Sequence, residues 1–132
     1  MIEKTLSKWH EVVASKDIKG LSELIHDDAV FHSPVVHSPQ EGKALTQMYL
    51  TAAFYVLAGD DFTYVREVAS GNNAILEFQT TVDGVVINGV DMITCNDDGL
   101  IIDFKVMVRP LKAMNMLHQK MKAMLEQYNK AS

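Results

Sequence analysis

A single cysteine, Cys95, leaves no partner for an intrachain disulfide, and that economy points to a reducing, cytoplasmic home. The close Cys/His pairs of a structural zinc site are missing too. His10, His32 and His37 are too irregularly placed, on one helix and one loop-like segment, to argue for a three-histidine metal centre, so neither metal nor cofactor is expected. No apolar run approaches the roughly 18 residues of a membrane span. The N-terminus "MIEKTLSKWHE" is charged and amphipathic and lacks the apolar segment of a signal peptide. Basic charge is also scarce, 12 Lys and Arg against 17 Asp and Glu, which argues against a nucleic-acid partner. No Gly-rich phosphate loop, GxSxG turn, HExxH pair or EF-hand loop occurs.

What remains is an ordinary globular composition, 48% hydrophobic and 22% charged, on a chain whose length fits one domain spanning residues 1–132. Leu6, Trp9, Val12 and Val13 recur at helical spacing and predict a helix over residues 3–15. Asp17 is placed to cap a second, short helix from about Ile18 to Ile25. Val30 and Phe31 read as a brief strand ending near Pro34. A third helix from about Glu41 to Ala58 carries the stripe Leu45, Met48, Tyr49, Ala52 and Val56, with Gly59 as its stop.

From residue 61 the apolar period changes to two. The segments 62–69, 74–82, 85–95 and 100–109 predict four strands, broken at Gly71-Asn72-Asn73, Asp83-Gly84 and Asp97-Asp98-Gly99. Asp-Gly between alternating runs is a strong hairpin signal, so an antiparallel meander is expected. Leu76 and Phe78 share one face, opposite Glu77 and Gln79. In the last strand Ile102, Phe104, Val106 and Val108 share a face, opposite Asp103, Lys105, Met107 and Arg109. Arg109 is read as a partner of Asp103, with a clamp on a carboxylate as the alternative. After Pro110 a final helix from Leu111 to Tyr128 carries Met114, Leu117, Met121, Met124, Leu125 and Tyr128 along one side. Helices segregated to one face of an antiparallel sheet make an α+β fold.

The order of these elements, the stretch "DIKGLSELIHDDAVFHSPV", the "EGK" before the third helix, and "GVDMITCNDDGLIIDFKVMVRP" resemble the nuclear-transport-factor-2-like superfamily. That group includes ketosteroid isomerases and SnoaL-like polyketide cyclases, and the likeness runs from about Trp9 to Pro110. The resemblance implies a cone-shaped, curved antiparallel sheet with helices on its concave face, as in cystatin-like and ketosteroid-isomerase-like folds. It also implies an open end that admits a small, mostly apolar ligand, and a homodimer through the outer sheet face. In ketosteroid isomerases an aspartate is the general base, while a protonated aspartate and a tyrosine bind the developing oxyanion. By motif the base falls on Ser33, the protonated aspartate on Asp91 and the tyrosine on Trp9, so one of the three is kept.

Asp91, in "INGVDMITC", puts a carboxylate among apolar strand positions, where it must find a partner, become protonated or meet a ligand. The candidate site is therefore Asp91 as acid, base or anchor, assisted by His32 or His37. Trp9, Ser33, Tyr49, Phe54, Phe78 and Val108 are its candidate ligand-binding residues, with plain core packing as the alternative for each. The expected function is binding of a small apolar or mixed-polarity molecule, with isomerase-, cyclase- or hydratase-type acid/base chemistry on a cyclic or carbonyl compound if a reaction is catalysed. The alternative is a non-enzymatic dimeric binding or adaptor domain with a vestigial pocket. A cavity of roughly 300 Å³ or more with Asp91 at its base distinguishes the first from the second.

Overall fold

The computed structural model describes residues 2–131, with side chains through Gln127. The Tyr128 side chain, expected to close the apolar stripe of the last helix, lies outside the described ones. Helix α1 (Ile2–Ser15) buries Ile2, Leu6, Trp9 and Val12, one face at helical spacing. Helix α2 (Ile18–Leu24) starts where Asp17 accepts a hydrogen bond from the Gly20 amide at 3.1 Å, satisfying one of its free N–H groups. Strand β1 (Ile25–His32) follows without a loop and is much longer than its apolar pair Val30-Phe31 suggests. A register shift between Ile25 and Val30 breaks its alternation, so the polar run His26-Asp27-Asp28 hides the strand.

Strand β2 (Gln40–Glu41) pairs with β1 and leads into α3 (Lys43–Leu57). Here the buried face is Thr46, Leu50, Thr51, Ala52, Phe54 and Leu57, while Leu45 is 39% exposed. The predicted stripe is thus turned about the helix axis. Apolar residues run round much of α3, so periodicity could not choose the face. Thr46 is tolerated inside because its hydroxyl donates to the Ala29 carbonyl at 3.2 Å.

Strands β3 (Thr63–Ser70), β4 (Asn73–Val82), β5 (Val85–Cys95) and β6 (Ile101–Arg109) form the expected meander. Asp83 and Gly84 take φ of 49° and 79°, the left-handed pair that a tight hairpin turn requires. Leu76 and Phe78 face inward as predicted. In β6 a shift opposite Thr94-Cys95 makes Ile101, not Ile102, the fully buried residue. Helix α4 (Leu111–Ala131) completes the chain.

The sheet corrects one expectation. It is open, ordered β2-β1-β6-β5-β4-β3, and it is neither strongly curled nor closed into a cone. Nor is it wholly antiparallel, because β1 lies parallel to β6. Hairpin signals report only neighbours in sequence, and the β1–β6 pairing joins residues more than 70 positions apart, beyond the reach of local periodicity. The hollow in this protein therefore lies between one sheet face and helices α1, α3 and α4. The buried cluster draws on the same elements, with Trp9, Phe31, Phe54, Phe78 and Phe104 among its largest members.

Candidate functional site

The cavity beneath the helices has a volume of about 280 Å³, at the lower edge of the roughly 300–1,000 Å³ typical of ligand pockets. Its wall is aromatic and aliphatic. Phe31 stacks on Tyr49 (ring centroids 5.4 Å apart), and Trp9 lies against Phe54 and Phe104 at 5.6 and 5.1 Å. The floor depends on Gly89. A Cβ there would come within 2.5 Å of the Phe78 ring, so glycine lets that ring lie across β5. Phe62 then stacks on Phe78 at 5.4 Å and meets Tyr64 in a T-shaped contact at 5.1 Å.

Strand register places Asp91 between Leu76 on β4 and Val106 on β6, all three on the inward face. Asp91 is 7% exposed. Tyr64 Oη donates to Asp91 Oδ2 at 2.9 Å, and Trp9 Nε1 donates to Tyr64 Oη at 3.0 Å. The directions are forced: indole N–H can only donate, and the phenol has one proton, which it gives to the carboxyl. Among the described residues no other group bonds the carboxyl, and no buried side-chain oxygen is left unsatisfied. The second oxygen, Oδ1, is therefore open to the cavity.

This setting governs protonation. Burial raises the Asp91 pKa to about 7, against a smaller opposing effect of the Tyr64 hydrogen bond. Near neutral pH the carboxyl is thus divided between an acid that can donate and a base that can accept. Burial, with the nearby Asp91 charge, raises the Tyr64 phenol well above its ordinary value, so Tyr64 stays protonated.

Trp9, Ser33, Tyr49, Phe54, Phe78 and Asp91 line the cavity; His32, His37 and Val108 do not. His32 points to the other side of β1 from Phe31 and meets Asp103, Nε2 to Oδ1 2.8 Å. No bulge at that point turns its ring inward. His37 sits on the exposed connection before β2. Val108 is half-buried opposite Gly89 and packs on the core outside the cavity wall. Ser33 borders the cavity, but its Oγ accepts the Val35 amide at 3.1 Å and so shapes the loop. Arg109 meets Asn88, Nη1 to Oδ1 3.3 Å, in place of the expected Asp103.

Sequence reasoning missed Tyr64. Its alternation with Phe62 is a signal, but a register shift between Tyr64 and Arg66 hides which face the strand turns inward. It also underrated α4, which brings Leu117, His118, Met121, Lys122, Leu125 and Glu126 to the cavity. Among the described residues no three His, Cys, Asp or Glu side chains are grouped to hold a metal, and no helix is long and apolar enough to cross a membrane.

The model of the SnoaL-like domain matches residues 6–104. The crystal structure of a steroid delta-isomerase from Pseudomonas aeruginosa is similar at 40% identity and a TM-score of 0.90, over 96% of this chain and 93% of that one. An uncharacterized bacterial protein with a cystatin-like fold from Silicibacter pomeroyi is 33% identical, with a TM-score of 0.84 over 93% of this chain and 85% of that one. A putative isomerase from Bacillus subtilis is 26% identical, with a TM-score of 0.64 over 83% and 87%. The curated proteins gave no match. The chain belongs to the SnoaL-like family, within the nuclear-transport-factor-2-like superfamily that also holds the ketosteroid-isomerase-like proteins.

Proposed function

We propose that this chain is a single-domain protein that binds a small, largely apolar carbonyl compound and moves a proton within it through Asp91. One observation carries the reading. A carboxyl with a pKa of about 7 has one oxygen held by Tyr64 and the other open to an apolar cavity. In its acid form Asp91 donates a hydrogen bond to the ligand's carbonyl oxygen. In its ionised form it takes a proton from carbon beside that carbonyl and returns it elsewhere, an isomerisation that balances without a co-reactant. The apolar wall excludes water, which strengthens both interactions. Trp9 and Tyr64 hold the carboxyl in one orientation while the proton moves. The similarity to a steroid delta-isomerase supports a cyclic ketone as ligand.

A second reading, binding without turnover, has an observation of its own. Ser33 stands where the resemblance puts the isomerase base, and its oxygen is engaged in a turn. In that reading the protein is a homodimer joined through the outer sheet face, where Val68, Ile75, Val86 and Met107 are exposed.

Cyclic β,γ-unsaturated ketones, followed by absorbance as they become conjugated, separate the two. The first reading expects turnover that falls at least about 100-fold in Asp91→Asn, the usual scale of acid–base catalysis. Tight ketone binding with no turnover supports the second. An Asp91→Asn protein with full affinity and full turnover removes Asp91 from either account.

A further inference from the structure

Helix α4 presents two parallel rows to the cavity. Leu117, Met121 and Leu125 form an apolar row, and His118, Lys122 and Glu126 form a polar one, each member four residues from the last. The polar row lines the same cavity as Asp91, but its three residues are exposed where Asp91 is buried, so it borders the open side. Among the described residues none of its three side chains makes a hydrogen bond or ion pair, whereas the adjacent Lys120 is committed to Asp83. Lys122 precedes Glu126, the less favourable order for an ion pair along a helix. Two nitrogen-bearing side chains, one of them a full cation, thus face the cavity mouth beside a single carboxylate. The turn Pro34-Val35-Val36 adds apolar lining to the same cavity.

We propose that the ligand of this site is an amphiphile whose far end carries an anionic oxygen group, such as a carboxylate, read by Lys122 with His118 as a second donor. This rests on the proposed ketone-binding function, with the ketone at Asp91 and the apolar body between the two ends. Glu126 lies one turn beyond and repels a group that overshoots Lys122. Lys122 is exposed, so its attraction is that of a surface pair and is screened by salt.

The test uses 2-acetylnaphthalene bearing a flexible butanoate tail at the opposite end of the ring system, and the methyl ester of the same compound. Binding is followed by the probe's own fluorescence. The carboxylate should bind about 5-fold more tightly than the ester in dilute buffer, the scale of roughly 1 kcal/mol for an exposed pair. High salt should erase most of that preference. Lys122→Met should abolish it and Lys122→Glu reverse it, both leaving ester affinity within about 2-fold of the parent. Equal binding of acid and ester, or a preference that survives Lys122→Glu, overturns this inference alone. Failure of both probes to bind contradicts the proposed function and this inference with it. A uniform loss in the Lys122 variants, equal for acid and ester, assigns Lys122 to the fold and also overturns the proposal.

Discussion

The two ends of the cavity are built on different principles. At the inner end Trp9, Tyr64 and Asp91 come from a helix and two strands, are tied by two hydrogen bonds, and are walled by Leu76, Val106 and Phe78. At the outer end His118, Lys122 and Glu126 come from one helix, are exposed, and bond to nothing among the described residues. Register fixes the first; the second is free to meet whatever enters. The difference suits a division of labour, in which the inner end supplies the chemistry and the outer end chooses the ligand. It also shows why desolvation matters more than proximity here. The carboxyl whose pKa is raised is the one surrounded by apolar strands, and among the described residues no cation acts to hold it ionised.

The sharpest way to break that contrast is to neutralise the inner carboxyl. An Asp91 pKa raised from 3.8 to about 7 means that the folded protein binds the extra proton between those values while the unfolded chain does not. Stability should therefore fall as pH rises from about 4 through 7, by up to an amount on the order of 4 kcal/mol from this group. Asp91→Asn should remove that dependence. The difference between variant and parent unfolding free energies should favour the variant increasingly toward pH 8, as read by denaturant titration at several pH values. Parallel pH profiles for the two proteins would contradict the assignment.

Smaller effects sharpen the comparison. Gly89→Ala drives a methyl group into the Phe78 ring and should cost about 1–3 kcal/mol by overpacking, with weaker ketone binding because the floor is displaced. Tyr64→Phe removes the acceptor of the Trp9 indole and the donor to Asp91, for about 1–3 kcal/mol. Since that donor favours the ionised form, the pKa of Asp91 should move further up, visible as a shift in the pH profile of binding or turnover. His32→Ala should do least. It loses a partly exposed contact with Asp103 outside the cavity, worth less than about 1 kcal/mol, and turnover should stay within about 2-fold of the parent. A large loss of turnover in His32→Ala would return that histidine to the site.

Much of the fold was legible because its signals are local. Asp83-Gly84 announces a hairpin, Asp17 announces a helix, and alternation from Leu76 to Phe78 names the inward face. Asp91 could be singled out for the same reason: a charge among inward strand positions breaks a pattern that is otherwise clean. The misses share a cause as well. The β1–β6 pairing is a long-range contact, the buried face of α3 is ambiguous on a helix apolar nearly all round, and Tyr64 lies beside a register shift that resets strand parity. His32 and His37 were attractive as residue types, yet strand direction and loop exposure, which side-chain chemistry does not encode, keep them out of the cavity.

The central claim is that a carboxyl at position 91 is desolvated on the cavity floor and titrates near neutrality. Its most direct test is the carboxyl carbon resonance of Asp91, followed by NMR from pH 4 to 9 and assigned by its loss in Asp91→Asn. The account predicts a midpoint of about 7; a midpoint near 4, that of a carboxylate in water, would contradict it.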